Sequence, residues 1–287
     1  MAEKGSGQMS KAEAQEIAKF ELRRVKDPRP AGESEVHVYR GDVVCATDTR
    51  GYETPGNRSK FDLWIDAPDG RIPLWAKGIT LRWRFQELSF EPFENPDAVK
   101  AQVRKLMGKA VMSWGAAAPV KFTEAKDNWD FEVAIREQDR CSTLGCVLAR
   151  AFFPDAGQHD IAIYPKMFTQ DPQEQVETLI HELGHVFGLR HFFANTKETD
   201  SPSVLFGKNS KFTIMNYGGD SKLTSADRKD LAQLYQMVWS GQLTEINGTK
   251  IKLMEPFHSS GASPESVVAV GQIQAAIQPV GEHASAA

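Results

Sequence analysis

Two spacings of apolar residues divide this chain into elements. Recurrence every three to four positions puts Ala14, Ile17, Ala18, Leu22 and Val25 on one thin stripe and predicts a polar helix over 10–25. A Pro/Gly break at 28–32 follows, alternation over 36–44 predicts a strand, and Gly51, Pro55, Gly56 and Asn57 mark 50–59 as loop. From residue 75 the signals become regular. Ile79-Thr80-Leu81-Arg82-Trp83-Arg84-Phe85 alternates with period two, which reads as a strand. Asn95-Pro96-Asp97 then opens a helix over 97–114, with Val99, Val103, Leu106, Met107, Ala110, Val111 and Trp114 on its apolar face. Short strands are predicted at 120–122, 131–135, 147–153 and 161–164, separated by Asp, Gly and Pro turns. A helix over 173–188 turns Val176, Leu179, Ile180, Leu183 and Phe187 inward. After an irregular stretch, a last helix spans 225–239, and Thr224 with Asp227 three residues on makes a capping-box pair at its start. The order strand-helix-strands-helix-loop-helix is an α/β pattern of the α+β kind, a mixed sheet followed by helices.

This organisation predicts three parts. Residues 1–74 form an N-terminal extension, 75–240 the main domain, and 241–287 a tail that becomes rich in Ser, Ala, Gly and Pro beyond Phe257. Composition changes the picture little. With 41% hydrophobic and 25% charged residues the 287-residue chain can bury an ordinary core. A net charge of −4 supplies no general attraction to nucleic acid or anionic membrane. No stretch approaches the ~18 apolar residues of a membrane span. Three cysteines are too few for a disulfide scaffold: Cys141 and Cys146 could close a small loop, and Cys45 is left over. Residues 1–7 lead into a charged segment without the apolar run of a secretory leader, so the compartment stays open between cytoplasm, another export route, and a leader removed before this numbering.

The chemistry is concentrated in His181-Glu182-Leu183-Gly184-His185-Val186-Phe187-Gly188-Leu189-Arg190-His191. Residues four apart on a helix stack on one face, so His181 and His185 point the same way, one turn apart. Two neutral imidazoles in that relation make a bidentate zinc site. Glu182 stands about 100° round the helix from His181, beside the site but outside the tight ligand set, a position suited to a base acting on water. Gly188 can adopt a left-handed conformation, end the helix and let His191 swing back as third ligand. Five fixed residues over eleven positions coincide by chance on the order of 10⁻⁵ in a chain of this length at average residue usage.

This string resembles the metzincin zinc-protease motif HExxHxxGxxH, and the stretch Thr213-Ile214-Met215-Asn216-Tyr217-Gly218-Gly219 resembles the methionine turn that accompanies it. The resemblance covers 75–240, with 147–154 similar to the cleft-edge strand of astacins and matrixins, to which an extended peptide adds in antiparallel sense. It implies an α+β fold with an active-site helix, a zinc cleft and a smaller C-terminal helical subdomain. It implies zinc-dependent endopeptidase activity: His181, His185 and His191 as ligands of one catalytic Zn²⁺, Glu182 as general base, Met215 as an apolar floor, and Tyr217 as an oxyanion donor. The partner implied is a peptide or protein substrate, and a secreted enzyme if a leader was removed. A zinc-bearing, non-catalytic protein-binding module is the alternative, against which the retained Glu182 argues.

The branch stays open. Phe192 follows the third histidine where astacins carry Glu, matrixins usually Ser and serralysins Pro. His159 and Asp160 alone do not make a second metal site, and calcium is left undecided, as is the oligomeric state. The loop over 192–214, with Phe192, Phe193, Val204, Leu205 and Phe206, is expected to wall the pocket for the side chain after the cut. Two latency candidates lie in the extension. Tyr39-Arg40-Gly41-Asp42 resembles the short motif of astacin propeptides whose aspartate occupies the zinc, which points to Asp42; the thiol of Cys45 is the second.

Overall fold

The computed structural model describes residues 37–39, 43–45, 62–67, 70–142, 145–191, 203–207, 213–215 and 221–259. Within these, the strands are β1 (His37–Tyr39), β2 (Val43–Cys45), β3 (Asp62–Asp66), β4 (Arg71–Trp75), β5 (Thr80–Phe85), β6 (Lys121–Glu124), β7 (Phe131–Ile135), β8 (Arg140–Ser142), β9 (Gly145–Val147), β10 (Ala149–Arg150), β11 (His159–Ile163), β12 (Ser203–Gly207), β13 (Glu245–Ile246) and β14 (Thr249–Met254). The helices are α1 (Pro96–Trp114), α2 (Pro172–Val186) and α3 (Ser225–Trp239). The expected α+β class is what forms.

A five-stranded sheet in the order β10-β11-β7-β5-β6 is the backbone of the fold. β5, β6, β7 and β11 run parallel, and β10 closes one edge in antiparallel sense, Ala149 facing Ile163. Parallel strands covered by helices read as apolar runs, and Phe131, Val133, Ile135, Ile161 and Ile163 are indeed buried. α1 begins at the cap Asn95, whose side chain accepts from Ala98 N at 3.0 Å, and carries Pro96 in its first turn. Its buried stripe Val99, Val103, Leu106, Met107, Ala110 and Trp114 is the expected one apart from Val111, which is half-buried, and it packs against α2. α2 starts at the cap Asp171, which accepts from Gln173 N and Glu174 N, and from Thr178 to Val186 every residue is buried. A helix buried all round belongs to the middle of a core.

Three aromatic donors hold the buried carbonyls of α2 and its exit. Trp114 Nε1 donates to Ile180 O at 3.0 Å, Trp75 Nε1 to Val186 O at 2.7 Å, and the Tyr235 hydroxyl to Phe187 O at 3.0 Å. Burial pushes the Tyr235 phenol well above its ordinary pKa, so it stays a donor. Its oxygen also lies 3.4 Å from Trp75 N, as acceptor. The helix is thereby tied to both β4 and α3.

Packing and strand pairing cross both sequence divisions. The expected boundary at 74 cuts through the core: Ile65, Ala67, Ile72 and Leu74 are buried in the same cluster as the helices. The expected tail from 241 carries β13 and β14, and β14 runs parallel to β4 with Ile251 facing Ile72 and Met254 facing Trp75. The single strand expected over 36–44 is instead two, β1 and β2, paired antiparallel with His37 facing Cys45; Gly41 and Asp42 are turn-forming residue types between them. The strand expected over 147–153 is short and split at Leu148 between β9 and β10. A disulfide joins Cys141 to Cys146 across the β8–β9 hairpin. The helix expected over 10–25 lies outside the described residues.

The C-terminal strand is latched at its far end. Asp130, 2% exposed, accepts from Arg82 N at 2.7 Å, from His258 N at 2.9 Å and from His258 Nδ1 at 2.8 Å. Asp130→Ala leaves these donors without their acceptor and is expected to cost about 2 kcal/mol or more of unfolding free energy. Urea unfolding at neutral pH measures it, and a loss within ~0.5 kcal/mol of zero would show that the latch carries no stability.

Candidate metal centre

The exit of α2 builds the site. Gly188 has φ +92°, a left-handed conformation that L side chains rarely adopt, and two backbone bonds close the turn: Gly188 N to His185 O at 2.8 Å and Leu189 N to Gly184 O at 2.9 Å. This is the Schellman pattern of a glycine-terminated helix. A β-carbon at Gly188 would also stand 3.1 Å from Leu74 Cδ2. The turn reverses the chain, and His191 returns toward the helix, as the spacing leads one to expect. His181 Nε2 lies 3.1 Å from His191 Nε2 and 3.2 Å from His185 Nε2.

The tautomers of two rings follow from their other nitrogens. His181 Nδ1 lies 2.7 Å from Ile214 O, and His185 Nδ1 lies 2.8 Å from Leu189 O. A carbonyl oxygen can only accept, so each Nδ1 bears the proton and each Nε2 presents a lone pair. Lone pairs ~3 Å apart repel unless a cation sits between them. Tetrahedral zinc ligands at ~2.0–2.1 Å stand ~3.3–3.4 Å from one another, close to the observed separations. The three imidazoles therefore fit a metal ion, and among the described residues they are the one group of three or more His, Cys, Asp or Glu that could hold one. All three are buried, and so is Glu182, 2% exposed, beside His181 on the same helix.

Met215 lies against α2. A β-carbon added to Gly184 would stand 2.4 Å from Met215 Sδ, so the thioether rests directly on the helix between the two ligand positions. Trp114 closes the same space, 3.6 Å from that point, and its ring meets Phe187 edge-on. The Phe153 ring meets His185 in the same way, centroids 5.4 Å apart.

Other expected residues are distributed unevenly. Tyr217, Phe192, Phe193 and Asp42 lie outside the described residues, and of Cys45, Val204, Leu205 and Phe206 the backbone alone is described. β12, which holds the last three of these, is paired antiparallel with β3, Val204 facing Ile65. β3 in turn donates from Asp66 N to Gly188 O at 3.0 Å, so the loop after the third histidine is fastened to the helix exit. β2 is paired parallel with β9, Val43 facing Cys146 and Val44 facing Val147. Asp160 is engaged by Arg150 at 2.8 Å and by Arg136, and the His159 ring stacks on Phe152.

Two further side chains connect to the elements that carry the histidines. Arg190, 1% exposed, stands 3.8 Å from Asp66 next to the third histidine. Asp227 is the expected cap partner, accepting from Thr224 N at 2.7 Å, while Thr224 Oγ1 accepts from Asp227 N at 3.1 Å. Its other carboxyl oxygen accepts from the Thr213 hydroxyl, on the turn that carries Met215. Burial pushes the Asp227 carboxyl above the usual range, and its donors from Thr213, Thr224 and Ile214 N oppose that shift.

The matrixin family model matches residues 82–236, more than half of the chain, from within β5 to within α3. The chain belongs to the matrixin family. Matrixins are zinc metalloproteases, so this matrixin is a metalloprotease whose substrates are peptides. The solved structure of myroilysin is similar over 60% of this chain and 98% of that chain, at 14% identity and a TM-score of 0.38. No protein of curated function matches. No helix among the described residues of the matrixin is long and apolar enough to cross a membrane.

The contact between Gly184 and Met215 can be tested by a double-mutant cycle. Gly184→Ala alone is expected to cost about 1–3 kcal/mol through overpacking. In a Met215→Ala background most of that cost should vanish, because the clashing sulfur is gone. Denaturant unfolding of the four proteins gives the coupling, and strictly additive losses would contradict the contact.

Proposed function

We propose that this matrixin is an endopeptidase in which His181, His185 and His191 hold one zinc ion and Glu182 moves the protons. The observation that carries the reading is the convergence of three imidazole nitrogens, two of them with their tautomer set by a backbone carbonyl, next to a buried carboxylate one residue along the same helix. Zinc at such a centre supplies Lewis acidity, making water a nucleophile near neutral pH and polarising the scissile carbonyl. Glu182 takes a proton from the attacking water and delivers it to the leaving amine nitrogen as the C–N bond breaks. Its burial strengthens its interactions with the reacting atoms, since little water screens them. Tyr217 donates from its hydroxyl to the oxyanion that forms on the carbonyl oxygen. Met215 acts as the apolar floor of a methionine turn that keeps α2 and the ligand rings in register, a metzincin feature.

The cleft edge is β10 with β9 leading into it, and an extended substrate adds there in antiparallel sense. The segment 192–214, anchored through β12 and β3, walls the pocket for the residue after the cut. β2 occupies β9 in the opposite, parallel sense, which supports a latency role for the N-terminal extension. In that role either Asp42 or Cys45 closes the centre until the extension is removed. The catalytic unit then begins near residue 62 rather than 75 and ends near 259, since β3, β4 and β14 are part of its packing.

Glu182→Ala is the direct test of mechanism. Peptide cleavage should fall by about 10²–10⁴-fold or more while zinc content stays at the parent level. Zinc retained with cleavage unchanged would refute the role of Glu182, and a parent protein that binds zinc but cleaves no peptide in a random library would favour the non-catalytic binding module. For latency, Asp42→Ala and Cys45→Ala in the full chain are assayed beside the parent. One of them should raise cleavage of a short peptide, and if neither does, nor proteolytic removal of the segment before residue 62, the latency proposal is wrong.

A further inference from the structure

We infer that Asp227 is a positioning residue for the metal centre, acting through the 213–215 turn on the imidazole of His181. The inference rests on the reading that the three histidines hold zinc. Asp227 sits in the first turn of α3, where an ordinary cap partner uses one carboxylate oxygen at the surface. Here the residue is 5% exposed, and the second oxygen of its carboxyl leaves the helix to accept from the Thr213 hydroxyl.

From that oxygen a single line of hydrogen bonds runs to the metal site, every donor oriented the same way. His181 Nδ1–H donates to Ile214 O at 2.7 Å. That carbonyl belongs to the peptide whose N–H, on Met215, donates to Thr213 Oγ1 at 3.2 Å. Thr213 Oγ1 in turn donates to Asp227 Oδ1. Hydrogen bonds in such a chain polarise one another, most strongly where water is excluded. A carboxylate at its end draws the Met215 N–H dipole and makes the Ile214 carbonyl a stronger acceptor. The imidazole then gives more of its Nδ1 proton to the bond and more electron density to Nε2, where a cation is bound. The same carboxylate accepts from Ile214 N, so the turn is held at two points and the direction of the His181 lone pair is set from α3. Ser221 Oγ adds a second donor to Ile214 O at 3.1 Å, which steadies the carbonyl without belonging to the line.

The test uses the full chain stripped of metal and titrated with Co²⁺, read by visible absorption and by competition between zinc and a chelator. Asp227→Asn keeps the shape and removes the charge, and it should weaken binding about tenfold or more, the range seen for groups that orient metal ligands. Thr213→Val breaks the line in its middle and should weaken binding similarly, while Thr213→Ser keeps the hydroxyl and should restore it. Asn95→Ala, which removes the cap of α1 far along the chain, should lower the melting temperature and leave metal affinity unchanged. Asp227→Asn that folds and binds Co²⁺ with the parent affinity and spectrum overturns the inference. If that variant does not fold, equal binding by Thr213→Val and Thr213→Ser overturns it instead. A parent protein that takes up no Co²⁺ overturns the metal reading itself, and this inference with it.

Discussion

The constraint on which the rest depends is that two imidazole nitrogens, each deprived of its proton by a carbonyl on the far side of its ring, face one another across about one cation's width. Without an ion that arrangement is repulsive and desolvated; with one it is a ligand set. Nothing in a single helix could hold it. His181 and His185 share a face of α2, but their lone pairs are aimed by Ile214 O and Leu189 O, which come from two different loops. The centre is consequently as rigid as the contacts that place those two carbonyls.

Those contacts account for much of the architecture. Leu189 O is placed by the glycine-terminated exit of α2, with Gly188 N and Leu189 N bonded back into the helix and Asp66 N bonded to Gly188 O. Ile214 O is placed by Met215 lying on Gly184 and by the carboxylate of Asp227. The helix itself is held by indole and phenol donors from Trp75, Trp114 and Tyr235, each satisfying a carbonyl that would otherwise be buried and share its acceptor capacity poorly. Large aromatic rings fill the surrounding volume and fix the helix by shape, while their polar tips fix it in register. The buried helix α2 thus remains positioned by side chains that are remote in sequence.

How much of this could be read beforehand depends on the range of each interaction. The convergence of the three histidines and the helix-ending Gly188 are legible because a spacing of four puts two rings on one helix face and a glycine permits the left-handed exit that brings the third back. The capping box at Thr224 and Asp227 and the apolar stripe of α1 were legible for the same reason. β4 was not: Arg71-Ile72-Pro73-Leu74-Trp75 contains a proline, which argues against a strand, and it is tolerated here because β4 lies at the edge of its sheet, beside β14. β14 in turn pairs with a strand far earlier in the chain, and no local pattern announces such a partner. The second oxygen of Asp227 is the clearest case. Its cap role follows from a three-residue spacing, whereas its bond to Thr213 exists only once the turn has been folded onto α3.

On the proposed reading three imidazoles, and no sulfur of Met215, form the protein's share of the metal coordination. X-ray absorption fine structure of the zinc-loaded chain tests it most directly. Three imidazole nitrogens at ~2.0–2.1 Å per zinc are expected. A shell with fewer than three imidazoles, or one containing the thioether of Met215, would contradict it.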